Sequence, residues 1–163
     1  MEIKYLKKMQ KTPVIDGEEN EGVIESEIDK LEKQIGKVFP IAFKEFLFLG
    51  GNRANMLIDM DNGLFYQDKS PHWKEMQENS KTEMAEMGIK PDKDFWVFAS
   101  LDGGEQCHLF YFDDGDDPQV YYYCSYHDNE DFTEEYAAIE KMNYSFSEYI
   151  NEQIDDAKKN GWG

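Results

Sequence analysis

The sequence predicts an α+β fold: one domain in which helices pack on an antiparallel sheet of about five or six strands. Three observations indicate it. Helical apolar spacing dominates residues 24–50, three runs rich in aromatic and β-branched residues lie between residues 95 and 124, and helical spacing returns near residue 146. The 163 residues are enough for one core, and an aromatic content of 15% is far above that of disordered chains.

The first helix is predicted to end at Gly36, a residue that readily takes the left-handed backbone of a helix C-terminus. Pro40 suits the first position of a second helix, which the glycine pair at 50–51 ends. The apolar residues predicted to face inward are Ile24, Ile28, Leu31 and Ile35 in the first helix and Phe43, Phe46 and Leu47 in the second.

This order of helix, glycine, proline, aromatic residues and glycine-rich turn resembles the SUKH superfamily, bacterial toxin-immunity domains with relatives in fungal cell-wall regulation. Gly36, Pro40, Phe43 and the pair Phe46-Leu47 carry the resemblance. The superfamily usually closes this motif with Asn-Gly-Gly, whereas residues 50–52 read Gly-Gly-Asn. The resemblance implies a SUKH-like domain over residues 20–155. The flanking residues are predicted to form a basic N-terminal arm (1–19) and a polar C-terminal tail (156–163).

The middle of the chain is predicted to hold a hairpin and a helix. Asn62-Gly63 separates apolar residues 56–60 from residues 64–66, which is a strong hairpin signal. A partly exposed helix is predicted from His72 to Met87, with Gly88 ending it.

An antiparallel meander is predicted next, with strands at 95–99, 107–112 and 120–124. A turn centred on Gly115 and Asp116 would place Cys107 opposite Cys124, as two reduced apolar thiols. The last helix is predicted to begin at a capping box formed by Ser145 and Glu148.

The net charge of −18 is concentrated in one region. From Asp94 to Glu140 there are 13 acids and no Lys or Arg, whereas the first eleven residues are basic. Such a field repels nucleic acid and anionic membranes and attracts a basic protein surface. The N-terminus lacks the apolar core of a signal peptide, no apolar run is long enough to span a bilayer, and two cysteines give no disulfide framework, so a cytoplasmic location is expected.

No metal, cofactor or catalytic site is predicted. Cys107, His108, Cys124 and His127 lack zinc-ligand spacing, and Asp113 does not begin an EF-hand loop. None of the three histidines stands in a nucleophile motif, and the glycine pairs are not phosphate loops. We therefore expect a protein that is not an enzyme.

The resemblance implies an immunity protein that binds and neutralises a cognate toxin. The charge adds a mechanism, because an acidic surface could occlude the basic groove of a nuclease-type toxin. The aromatic strands either have both faces covered, with tyrosine hydroxyls at the rim, or expose a patch suited to contacts. A regulatory scaffold binding host proteins and a small metal-dependent or hydrolytic enzyme are alternatives. The predicted partner-binding residues are Asp113, Asp114, Asp116, Asp117, Tyr121, Tyr123, Asp128, Glu130, Asp131, Glu134 and Glu135.

Overall fold

A computed structural model describes residues 1–125 and 139–160 and confirms the α+β class. The six strands in these residues form two sheets: a hairpin of β1 (Val14–Ile15) and β2 (Glu18–Glu19), and an antiparallel sheet in the order β3 (Phe95–Leu101), β4 (Gln106–Tyr111), β5 (Gln119–Cys124) and β6 (Glu140–Ser145). The helices are α1 (Lys7–Gln10), α2 (Glu25–Ile35), α3 (Ile41–Gly50), α4 (His72–Glu86) and α5 (Phe146–Lys159).

The corner between α2 and α3 follows the sequence closely. Gly36 takes the left-handed backbone, with φ of 69°, and ends α2 as predicted. The Phe39 N–H then donates to Glu32 Oε1 at 2.8 Å, which fixes the extended segment before α3. Pro40 is extended, with ψ of 147°, so α3 begins one residue later than predicted.

Ile24 does not belong to the predicted apolar stripe. Its backbone is extended, with ψ of 150°, immediately before α2 begins. Its side chain is consequently directed away from the buried face and is 64% exposed, whereas Ile28 and Leu31 are buried. The stripe prediction was therefore wrong at its first residue.

One face of the sheet carries the main core, built largely from aromatic rings. Phe43 of α3 lies 5.0 Å from Phe110 of β4 and 5.5 Å from Phe146 of α5, measured between ring centroids. Phe46 also meets Phe146 edge to face at 5.5 Å. Such edge-to-face pairs add to the free energy gained by burial.

The N-terminal residues pack against this core. Leu6, Met9 and Ile15 are buried in it. Glu45 of α3 is fully buried, and its carboxylate accepts hydrogen bonds from the backbone N–H groups of residues 4, 5 and 6 at 2.7 to 2.9 Å. A buried carboxylate is tolerated when such donors surround it.

Helix α4 covers the opposite face and one edge of the sheet. Met76 and Met84 pack with Val97 and Cys107 in a second, smaller cluster. Gln77 donates to the Val97 carbonyl at 2.7 Å and accepts its N–H at 2.9 Å. The side-chain amide thus occupies backbone groups of the outer strand β3, which would otherwise be open to pairing.

The predicted hairpin at residues 56–66 is absent from this segment. The Asn62 side chain accepts the Ala54 N–H at 3.0 Å and donates to the carbonyls of Leu57 and Met60. These local bonds fold the segment into a compact turn, with a 3₁₀ helix at Asn55–Leu57, in place of two strands.

The predicted β4–β5 register was wrong by one residue. Cys107 pairs with Tyr123, and Cys124 pairs with Gln106. The connection between β4 and β5 has an odd number of residues and is centred on Gly115, whose φ is 85°. The prediction centred it between Gly115 and Asp116, so every predicted pair is shifted by one residue. The two free thiols therefore face opposite sides of the sheet.

Candidate partner-binding surface

The acidic connection between β4 and β5, residues 112–118, is held by neighbouring elements, among them α3 and α5. The Asp116 carbonyl accepts the Ala42 N–H of α3 at 2.9 Å. The Asp117 carboxylate accepts the Ser147 N–H and hydroxyl and the Ser145 hydroxyl at 2.6 to 2.9 Å. These contacts also place Asp117 at the N-terminus of α5, where a negative charge is favourable. We call residues 112–118 the acidic loop.

The start of α5 completes this arrangement. The predicted capping box is confirmed, because Ser145 Oγ accepts the Glu148 N–H at 3.4 Å and Glu148 accepts the Ser145 N–H at 2.8 Å. The carboxylate of Asp117 is thus engaged inside the fold, while the loop that carries it is fixed to two helices.

Asp113 and Asp116 are the two exposed acids of the loop. Asp113 forms an ion pair with Lys93 at 3.2 Å, and this hydrogen bond and charge raise the pKa of Lys93 above its ordinary value. Lys93 precedes β3 and was not among the predicted contact residues. The predicted antiparallel meander could have indicated Lys93, because residues just before β3 must lie beside the end of β4.

Asp114 is half-buried beside the aromatic strands. Burial raises the pKa of its carboxyl, and the neighbouring Asp113 charge adds to the effect. Its Oδ2 atom is buried and accepts no hydrogen bond from the described residues. A positive charge brought near this carboxyl would favour its ionised form.

Tyr121 lies next to Asp114 and is half-buried. Its ring centroid is 4.8 Å from that of Tyr111 on β4. Burial is the main cause that raises the pKa of Tyr121, followed by the charge of Asp114. The two tyrosines supply partly exposed ring surface near Asp92, Asp113 and Asp114. Tyr111 was not among the predicted contact residues.

Tyr123 does not join this surface. Its side chain is fully buried under α4, in the cluster with Met84 and Cys107. The hydroxyl donates to the Glu83 carbonyl at 3.3 Å, and burial raises the pKa of Tyr123 to about 12. Strand alternation puts Tyr121 and Tyr123 on the same face of β5, but α4 covers only the Tyr123 end of that face.

Five predicted contact residues lie outside the described residues: Asp128, Glu130, Asp131, Glu134 and Glu135. His127 lies outside them as well. Of the predicted set, the structure therefore brings Asp113, Asp114 and Tyr121 together. Asp116 is exposed on the same loop.

Cys107 and His108 point to opposite faces, as strand alternation predicts. Burial raises the pKa of the Cys107 thiol to about 12 and lowers that of His108 to about 4. The His108 ring lies 5.1 Å from the rings of both Tyr122 and Tyr149. Within residues 1–125 and 139–160 no three His, Cys, Asp or Glu side chains are grouped to hold a metal ion.

The family model described as SMI1 / KNR4 family (SUKH-1) matches residues 22–152 of this chain, which is most of its length. No curated protein sequence matches it. Over the same described residues, no helix combines the length and the apolar composition needed to cross a membrane.

Proposed function

This chain belongs to the SMI1 / KNR4 family (SUKH-1), and from that premise we propose that it is an immunity protein that binds a cognate toxin domain and blocks it. The expected contact surface is the acidic loop together with Tyr121. The acids between residues 128 and 135 are also expected to contact the partner. The protein acts in the cytoplasm without a cofactor and without catalysing a reaction.

The fixed acidic loop is the observation that carries this proposal. Its Asp116 carbonyl is hydrogen-bonded to α3, and its Asp117 carboxylate is hydrogen-bonded to α5. A preorganised loop loses little conformational entropy on binding, so more of the contact free energy remains as affinity. Exposed carboxylates on such a loop meet a basic partner in a fixed geometry.

The charge distribution supports a basic partner. The chain carries −18 overall, and the interval from Asp94 to Glu140 contains 13 acids without a Lys or Arg. Electrostatic steering of this kind raises association rates by roughly 10- to 1,000-fold at low salt. We expect the toxin to be of the nuclease type, because a nuclease binds its phosphate backbone in a basic groove.

Tyr121 supplies the apolar part of the proposed contact. Its ring packs against Tyr111 and is half-buried, so the ring is already ordered before a partner arrives. Aromatic residues surrounded by polar groups are common anchors at the centre of protein interfaces. The half-buried Asp114 carboxylate adds negative charge beside this ring.

Co-expression with the product of the gene next to this one tests the proposal. We expect that product to carry a toxin domain, to arrest growth when expressed alone, and to co-purify with this protein while growth is restored. Capture of several host proteins, with no protection from the neighbouring product, would instead favour a regulatory scaffold.

A further inference from the structure

A cleft lies where the α2–α3 corner, α4 and the beginning of β3 meet. It consists of two adjoining cavities of about 610 Å³ and 290 Å³. Both cavities are lined by Lys37, Lys81, Asp94, Phe95 and Phe112. Volumes of this order accommodate a small organic molecule. Neither the family match nor the proposed toxin contact accounts for this cleft.

A buried hydrogen-bond donor without a partner belongs to a side chain that lines the smaller cavity. Trp96 lines it and is only 4% exposed, yet its Nε1–H finds no acceptor among the described residues. The nearest rings are those of Phe39 at 4.9 Å and Trp73 at 5.7 Å. A ring face is a weak acceptor, so this donor remains largely unsatisfied. An acceptor on a bound molecule would satisfy it.

Lysines line the cleft, and two of them are not neutralised by contact. Lys37 pairs with Asp94, and Lys93 pairs with Asp113. Lys81 instead lies over the Phe95 ring, 5.6 Å from its centroid, and Lys74 is on the same face of α4, two turns earlier. Neither Lys74 nor Lys81 forms an ion pair with a carboxylate in the described part of the chain.

The local charge is unusual for this chain. Four lysines line the two cavities together with four acids: Glu78, Asp92, Asp94 and Asp113. The cleft is therefore close to neutral, whereas the chain carries −18. An anion meets less repulsion here than over the acidic loop, and Lys81 can approach it directly.

We propose that this cleft binds a small planar apolar molecule that carries one carboxylate or phosphate group. The rings of Phe95 and Phe112 contact the planar body, while the Lys81 ammonium and the Trp96 N–H take the anionic group. A planar molecule with one anionic group can accept a hydrogen bond from Trp96, pair with Lys81 and contact the two phenylalanine rings at the same time. This inference is independent of the proposed toxin binding.

Naphthalene-2-carboxylate is the probe for the test, and naphthalene-2-carboxamide is its neutral control. Titration of the full chain, followed by the indole signals in ¹H–¹⁵N NMR spectra and by calorimetry, measures site and affinity together. We expect the carboxylate to shift the Trp96 indole signal and to bind at least about tenfold more tightly than the amide, since a hydrogen bond to a charged group is stronger than a neutral one.

Two variants locate the charge and the donor. Lys81→Glu should weaken carboxylate binding by about tenfold or more, whereas the matched charge change Lys7→Glu, on an exposed residue outside the cleft, should leave it unaltered. Trp96→Phe keeps a ring, removes the donor and should also weaken binding. An unmoved Trp96 signal, equal affinity for carboxylate and amide, or equal effects of the two lysine variants would overturn the proposal.

Discussion

Asp117 holds Ser147 by two hydrogen bonds: Oδ1 accepts the Ser147 N–H at 2.8 Å, and Oδ2 accepts its hydroxyl at 2.6 Å. This pair joins the acidic loop to the first turn of α5. The two neighbouring acids therefore have different roles: the Asp117 carboxylate stabilises the fold, whereas the Asp116 carboxylate is exposed.

Asp117→Ala should lower the free energy of unfolding by about 2 kcal/mol, because it removes a carboxylate that serves three donors at a helix N-terminus. Asp116→Ala is the control, since its fold contact is made by the backbone carbonyl, and it should change stability by less than about 0.5 kcal/mol. Urea unfolding of both variants measures the difference. Equal losses would contradict the division of roles.

Gly36→Ala and Gly104→Ala should differ in cost. Both glycines have positive φ, 69° and 102°, but a Cβ at Gly36 would meet no atom within 4 Å, whereas one at Gly104 would lie 2.8 Å from the Ser80 nitrogen of α4. We expect a loss of about 1 kcal/mol for Gly36→Ala from backbone strain and a clearly larger loss for Gly104→Ala. Thermal unfolding of the two variants tests the order, and the reverse order would refute it.

Phe46→Ala should lower the free energy of unfolding by about 3 to 5 kcal/mol, because the ring is buried between α3 and α5. Ile24→Ala should cost less than about 0.5 kcal/mol, since that side chain is exposed. Denaturant titration decides between these values. A large loss of unfolding free energy in Ile24→Ala would show that this side chain is part of the buried apolar stripe after all.

His108 should make stability depend on pH. Burial lowers its pKa from 6.5 to about 4, so the folded state favours the neutral ring. Its contribution is complete above pH about 6.5 and is lost as pH falls toward 4, because the unfolded state binds the proton first. Between about pH 8 and 5.5 this amounts to about 1.4 kcal/mol.

The difference in unfolding free energy between the wild type and His108→Phe isolates this effect, since the other titratable groups are shared. We expect the wild type to lose about 1.4 kcal/mol relative to the variant as pH falls from about 8 to about 5.5. A difference that does not change with pH would show that the imidazole titrates alike in the folded and unfolded states.

Local rules predicted the elements whose geometry depends on adjacent residues. Gly36 ends α2 and Ser145 caps α5 as expected, because a left-handed residue and a capping hydroxyl act within one turn. The β4–β5 register depends instead on where Asp116 is bonded to α3 and Asp117 to α5. Contacts with residues distant in sequence thus decide whether the connection has an odd or an even number of residues, and the local sequence pattern does not contain that information.

The same limit applies to the candidate surface. Alternation assigns Tyr121 and Tyr123 to one face, but only the position of α4 decides that Tyr123 is buried and Tyr121 partly exposed. The Asn62 turn is similar, since its amide bonds replaced a predicted hairpin. Sequence reasoning could thus propose the acidic region without assigning each side chain to the interior or the surface.

Binding affinity for the neighbouring toxin domain as a function of salt tests the central claim most directly. The triple variant Asp113→Asn, Asp114→Asn, Asp116→Asn should bind about 10- to 100-fold more weakly at low salt, with a smaller loss of affinity between about 50 and 300 mM NaCl. The control variant Asp29→Asn, Asp59→Asn, Glu86→Gln changes net charge equally at exposed sites away from the acidic loop and should bind as the wild type does. Unchanged affinity and unchanged salt dependence in the loop variant would contradict the account.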